Sequence, residues 1–220
     1  MNSFSSFPAR IILRENPALL AESIVDCLEN DLMLRLEETT PKPIGFATGR
    51  TMLPVYSSLV SRLLKWPASR LEKLLKGWLS FNLDEYVGLN ASDLRSFKSY
   101  MGKHFAGPLG LNFERIRIPD SNALQPINEA NSYLKNLINA GGIGIQMLGL
   151  GSNGHVGFNE PPCKYDISCR VQSLSEQTRQ QNAFAFGDRI ENVPLKAITL
   201  GLKEILAADK IHLVVTGISK

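Results

Sequence analysis

Three stretches of this chain carry residues that could move protons or hold an anion. The richest is Gly149-Leu150-Gly151-Ser152-Asn153-Gly154-His155-Val156-Gly157-Phe158-Asn159-Glu160-Pro161. Gly149, Gly151 and Gly154 match a Gly-x-Gly-x-x-Gly pattern after an apolar run, the spacing of a dinucleotide site. That reading fails twice. A helix should open straight after the third glycine, but Gly157, Pro161 and Pro162 break the register. No acid stands at a strand end about 20 residues on, where a ribose contact belongs. The glycines instead let backbone approach a ligand closely. His155 follows them, and histidine is the side chain that most readily trades protons near neutral pH. Glu160, five residues later, is placed to orient it across the turn.

The second stretch is Asn82-Leu83-Asp84-Glu85-Tyr86 at the end of an apolar run. Adjacent acids on an extended chain point to opposite sides. One of the two can therefore face a cleft while the other binds structure, and an Asp there is a candidate general base. Taken alone, such a pair reads as a solvated loop. The third stretch, Thr48-Gly49-Arg50-Thr51, lies between an apolar strand and a helix. Free N–H groups at a helix start attract phosphate, and threonine hydroxyls add donors. Many ordinary strand-to-helix turns look the same. His104, late in a helix, and His212, within a strand, read as structural. Cys163 and Cys169 lack a second histidine to activate a thiolate.

The elements that must position these residues alternate. Arg10–Leu13 is a short apolar run. Asn16-Pro17 opens a helix, with Asn as cap and Pro in the first turn, and Leu20, Ile24, Leu28 and Leu32 line its buried face. Pro43–Ala47 reads as a strand, followed by a helix to about Leu64. Trp78–Leu83 reads as a strand, Ser92–His104 as a helix and Ile116–Ile118 as a short strand. Pro126–Ala140 is a helix with Ile127, Ala130, Leu134 and Leu137 on one face and Gly141 as its stop. Ile143–Leu150 is almost wholly apolar, as a central parallel strand is. Ala197–Leu200 and Ile211–Val215 are further strands. The order predicts an α/β protein: a three-layer, Rossmann-like fold with a mostly parallel sheet and helices on both faces, over a single domain of residues 1–220. Ligands in such folds bind beyond the carboxyl ends of the strands, which gathers the three stretches at one rim.

Composition narrows the classes of partner. Among 220 residues, 44% are hydrophobic and 20% charged, an ordinary globular balance. The net charge of +3, without a Lys/Arg run, argues against nucleic acid and suits an anionic small molecule. No stretch approaches the apolar length of a membrane span or of a signal peptide core. The three cysteines, Cys27, Cys163 and Cys169, show neither a disulfide framework nor zinc spacing and fit a reducing cytosol. The expected localisation is therefore cytoplasmic, with no membrane partner, no metal and no cofactor. Oligomeric state has no sequence signature here.

Three segments resemble one enzyme family. Phe81-Asn82-Leu83-Asp84-Glu85-Tyr86-Val87-Gly88-Leu89, Gly154-His155-Val156-Gly157-Phe158-Asn159-Glu160-Pro161 and Leu174-Ser175-Glu176-Gln177-Thr178-Arg179-Gln180-Gln181-Asn182-Ala183 all look like glucosamine-6-phosphate deaminase, and the resemblance runs from about Gly45 to Lys220. It implies an aldose–ketose isomerisation coupled to loss of ammonia, with glucosamine 6-phosphate giving fructose 6-phosphate. It also implies roles. Asp84 is the base between C2 and C1, His155 opens the sugar ring, and Glu160 holds and tunes it. Thr48, Gly49, Thr51, Arg179 and Lys220 hold the phosphate. Arg170–Asn182 resembles a mobile lid, within a lid segment expected at 160–185.

The chain departs from the family pattern in three places. The best-known members carry Asp at the position of Asn153, so His155 is expected to be less basic and the pH profile shifted. Arg50-Thr51-Met52 stands where the family has a small residue, Thr and Pro, so Arg50 is either an extra phosphate contact or points to solvent. Family members continue with a C-terminal helix beyond the strand ending near Gly217, so the sequence is expected to be incomplete. Related lactonases share the fold but differ in the segment after the glycine–His pair. The alternatives in play are a galactosamine 6-phosphate substrate, differing by one inverted hydroxyl, and a non-catalytic sugar-phosphate sensor domain.

Overall fold

A computed structural model describes residues 9–90 and 92–217. Its frame is a five-stranded parallel sheet in the order β4-β2-β1-β5-β8, formed by Ile116–Arg117, Ser80–Asn82, Ile44–Phe46, Ile145–Gly149 and Lys210–Val214. Because every pairing is parallel, all carboxyl ends lie on one edge. β1 has β2 on one side and β5 on the other, so the strand order reverses between β1 and β5. The crevice at such a reversal is where α/β sheets bind ligands.

Helices flank the sheet. α1 (Pro17–Arg35) opens as its sequence predicts: Asn16 caps it, its side chain accepting from the Leu19 N–H at 2.9 Å. Ile24, Leu28 and Leu32 are buried, and α1 packs along α2 (Leu53–Leu63). Arg62 of α2 joins the pair by ion pairs to Glu22, Asp26 and Glu29. The aromatic rings of Phe46, Tyr56, Trp78 and Phe105 pack together under the end of β1. The Tyr56 hydroxyl donates to the Ala47 carbonyl at 2.5 Å, so the first residue past β1 is held from below.

Several sequence expectations need correction. Arg10–Leu13 forms no regular element, and Ile11 and Leu13 are exposed. The helix expected over Ser92–His104 begins at Phe97, because Asn90 and Asp93 accept from the N–H groups two residues on and turn the chain first. From α4 (Phe97–Met101) it continues through a π turn (Gly102–Ala106) into α5 (Gly107–Leu109). On α6 (Pro126–Asn139) the buried face is Ala130, Tyr133 and Leu137, while Ile127 is 68% exposed. The Tyr133 hydroxyl, donating to the carbonyls of Asn82 and Arg117, sets that rotation. A helix at Ala68–Lys76, α3, follows Pro67 in a stretch read as connection.

The main departure concerns Ala197–Leu200. Its strand, β7 (Lys196–Thr199), belongs to a second, antiparallel sheet in the order β3-β7-β6, with β3 at Asp84–Tyr86 and β6 at Arg170–Ser173. Leu83 is the hand-over: its N–H donates to Phe46 in the parallel sheet, and its carbonyl accepts from Leu200 beside the small one. Asp84 is thus the first residue past the junction of two sheets.

Packing at the strand reversal is tight. A Cβ added to Gly45 on β1 would lie 2.2 Å from the buried Gln146 side chain on β5, whereas one on Gly149 would meet nothing nearer than 3.9 Å. Gly45→Ala is therefore expected to lower the unfolding free energy by ~1–3 kcal/mol, the usual cost of overpacking. Gly149→Ala should change it much less, a contrast readable by urea denaturation.

Candidate active site

The Asp-Glu pair divides as the alternation of an extended chain requires. Glu85 turns away from the rim and accepts the N–H groups of Tyr86, Phe97 and Lys98 at 2.8, 3.1 and 2.9 Å, capping α4. Asp84 turns into a cavity of about 680 Å³ at the carboxyl edge of the parallel sheet. It is 6% exposed, and no hydrogen bond from another protein group reaches its carboxylate among the described residues. Burial first, then the neighbouring Glu85 charge, pushes its pKa up to about 8. Burial raises Glu85 as well, to about 7, but its three N–H donors pull the other way.

The glycine-rich loop brings His155 into the same cavity. Its packing explains two glycines. A Cβ on Gly151 would sit 2.2–2.5 Å from the imidazole atoms, so Gly151 makes room for the histidine ring itself rather than for a ligand. Gly157 has φ +58°, and a Cβ there would meet Thr199 Oγ1 at 3.1 Å and Asp84 Oδ2 at 3.4 Å. The loop thus lies against the Asp84 carboxylate. The Nδ1 atom of His155 is 2.6 Å from Asn153 Oδ1, so the side chain paired with that nitrogen is a neutral amide two residues earlier.

The Thr48–Thr51 turn forms the third wall. Gly49 adopts φ +100°, and its carbonyl accepts from the Tyr100 hydroxyl at 2.9 Å. Thr51 Oγ1 lies 3.3 Å from Thr216 Oγ1, beyond the end of β8. Arg50 lines the cavity, with its guanidinium carbon 4.3 Å from the centroid of the Phe184 ring.

The structure therefore brings Asp84, His155, Thr48, Gly49, Arg50 and Thr51 to one cavity, with Asn153 behind the histidine. Two predicted residues have other partners in this conformation. Glu160 accepts from the hydroxyls of Ser175, at 2.9 Å, and Thr178 at the start of α7 (Glu176–Asn182). Arg179 donates to the carbonyls of Ile190, at 2.6 Å, and Val193, at 3.3 Å, and does not line the cavity. Lys220 lies outside the described residues. Gln181, Asn182 and Phe184 also wall the cavity, and Gln181 donates to Ser152. Sequence reasoning named that segment as a lid but missed Phe184. The signal available was the Ala183-Phe184-Ala185-Phe186 run: in a 3-10 turn residues three apart share a face, so burying Ala183 and Phe186 leaves Phe184 outward. Among the described residues no group of three or more His, Cys, Asp or Glu is gathered to hold a metal ion, and no helix is long and apolar enough to cross a membrane.

No family model matches the chain. The sequence is 40% identical over 181 residues to a glucosamine-6-phosphate deaminase of Oceanobacillus iheyensis, spanning 81% of this chain and 70% of that protein. Among solved structures, a monomeric glucosamine-6-phosphate deaminase is similar with a TM-score of 0.84 at 34% identity, covering 96% of this chain and 84% of the other. The 6-phosphogluconolactonase of Trypanosoma brucei is similar with a TM-score of 0.75 at 18% identity, covering 98% and 84% respectively, a likeness of fold alone.

The buried carboxyl generates a stability prediction. Its folded pKa, about 8, lies above the ordinary 3.8, so the folded state holds the proton more tightly. The stabilisation is complete below the lower value and is lost as pH rises through the upper one. Asp84→Asn should therefore raise the melting temperature at pH 8 by at least about 2–4 °C, the effect of ~1 kcal/mol in a chain of this size. The gap should close as pH falls toward 4, as followed by calorimetry.

Proposed function

The chain belongs to the glucosamine-6-phosphate deaminase family, and we propose that Asp84 is the base with which it converts glucosamine 6-phosphate and water into fructose 6-phosphate and ammonia. The observation that carries this is the single cavity shared by a buried carboxylate without protein donors, an imidazole and a helix-start turn. A carboxylate held without donors keeps its proton affinity. That is what abstraction of a weakly acidic C–H requires, and it places the working pKa near neutral pH.

The sugar phosphate sits with its anion on the Thr48–Thr51 turn, where the N-terminal end of the helical run and the threonine hydroxyls favour negative charge. His155 opens the ring by taking the proton from the C1 hydroxyl and returning one to the ring oxygen. Asn153 Oδ1 faces Nδ1 at 2.6 Å and orients the imidazole for this exchange. Asp84 then removes the C2 proton of the open-chain aldehyde, the C–H electron pair becomes the C1–C2 double bond, and the carbonyl oxygen takes a proton from the substrate's ammonium, giving the enolamine. The proton taken from C2 is delivered to C1, leaving an iminium at C2. Water adds to that carbon, and ammonia leaves with the C–N bonding pair.

Segment 160–185 acts as the lid in this reading, keeping water off the enolamine. Glu160 couples the two parts, since it belongs to the His155 loop yet is held by Ser175 and Thr178 of the lid. Arg179 joins the phosphate only if lid movement exchanges its two carbonyl partners for the substrate. The three cysteines are free thiols, which fits a cytoplasmic setting.

A coupled assay of ammonia and fructose 6-phosphate tests the assignment. Asp84→Asn should lower turnover by roughly 10²–10⁴, the worth of a positioned base. Robust ammonia release by that variant would remove Asp84 from the role. In the wild type, kcat/KM should rise with pH through about 8, because the base must be ionised. Asn153→Asp places a carboxylate beside the imidazole and should move the histidine limb of the profile to higher pH.

A further inference from the structure

Among the described residues, the side chains lining the cavity include one fixed cation, Arg50; the remaining titratable groups there are Asp84 and His155. Arg50 belongs to the anion-holding turn, but its side chain is exposed and long, so nothing in the turn itself fixes where the guanidinium lies. The contact that fixes it comes from the opposite wall. Phe184 lies in a short 3-10 turn (Ala183–Phe186) whose residues Ala183 and Phe186 are buried, while Phe184 stands 46% exposed. Its ring lies 4.3 Å from the Arg50 guanidinium carbon. Gln181, three residues earlier, donates to Ser152 on the glycine-rich loop, so the segment is pinned across the cavity at two points.

We propose that Phe184 is a positioning residue: its ring seats Arg50, and closure of this segment delivers the cavity's fixed cation to the phosphate of the substrate. A guanidinium stacked on a ring uses its flat face and keeps its in-plane N–H donors, which suit two phosphate oxygens at once. The second arginine of the region, Arg179, spends its donors on the carbonyls of Ile190 and Val193. The arrangement makes phosphate affinity depend on the lid through one aromatic side chain. This inference rests on the phosphate placement proposed above, but it can fail while that placement stands.

Calorimetric binding of glucose 6-phosphate, which lacks the amine and is not deaminated, reads the anion contact without turnover; glucosamine serves as the phosphate-free control. Phe184→Leu should weaken glucose 6-phosphate binding roughly two- to fivefold, the range of an exposed cation–π contact. KM for glucosamine 6-phosphate should rise by a similar factor while kcat holds. Phe184→Tyr should restore both, and glucosamine binding should not move. Arg50→Ala should cost roughly tenfold or more, and in that background Phe184→Leu should add nothing, because the two act as one unit. An undiminished Phe184→Leu effect without Arg50, or an equal loss for glucosamine, would overturn the proposal. If the wild type binds glucose 6-phosphate and Phe184→Leu leaves its affinity unchanged, the seat is wrong and the phosphate site survives. If the wild type does not bind it, both fall.

Discussion

A carboxylate buried without a donor is the condition around which this molecule is arranged. Asp84 sits where the chain leaves the parallel sheet at Leu83 and enters the antiparallel one. In mid-strand its neighbours would be backbone groups of its own sheet. At the junction its side chain instead meets the cavity on one side and Gly157 on the other. Holding a potential charge there opposes folding. The same burial lifts the proton affinity of the carboxyl, so the destabilisation and the raised pKa have one cause. Glu85, one residue on, shows the contrast: three backbone N–H groups receive it, and it serves as a cap.

The second constraint is that the His155 loop and the segment around α7 are not separate parts. Glu160 leaves the loop and is held by two hydroxyls at the start of α7; Ser152 of the loop accepts from Gln181 on the same helix; Arg50 of the phosphate turn meets Phe184 just past it. Two walls of the cavity, the His155 loop and the Thr48–Thr51 turn, are therefore tied to one short segment by polar and cation–π contacts, beside a small apolar cluster in which Ala183 and Phe186 pack with Tyr86 and Phe158. Contacts of this kind are individually weak in water and exchange readily.

Much of this was legible in the sequence, for reasons that differ by residue. The parallel frame follows from the largely apolar runs at Ile143–Leu150 and Pro43–Ala47 alternating with capped helices, and the rim follows from the frame. Opposite duties for Asp84 and Glu85 follow from extended-chain alternation alone. The second sheet was not legible, because β3, β6 and β7 are three- and four-residue strands whose partners lie far apart in sequence. The late start of the helix at Phe97 was hidden because side-chain turns at Asn90 and Asp93 compete with helical backbone bonding only once formed. Glycine-rich sequence announced close approach at Gly151 but not what approaches. The visitor is the protein's own imidazole.

The likeness of this fold to lactonases at 18% identity makes the loop after His155 the informative segment. Its conspicuous residues do not all face the cavity. The Asn159 amide donates to the carbonyls of Val156 and Leu200, and its oxygen accepts from Arg170 at 2.8 Å. The Phe158 N–H donates to Thr199 Oγ1, and the Phe158 ring packs with Tyr86 and Phe97. Both residues fasten the loop to β7, to β6 and to the strand that carries Asp84. A sheet of this kind can present many loops at the same edge, so the fold alone does not choose a reaction. What this motif specifies is a loop seated so that Gly157 lies beside the Asp84 carboxylate, with His155 two residues earlier facing the same space. The motif is diagnostic because it encodes the relative position of two proton-carrying groups, and only part of it needs to touch the sugar.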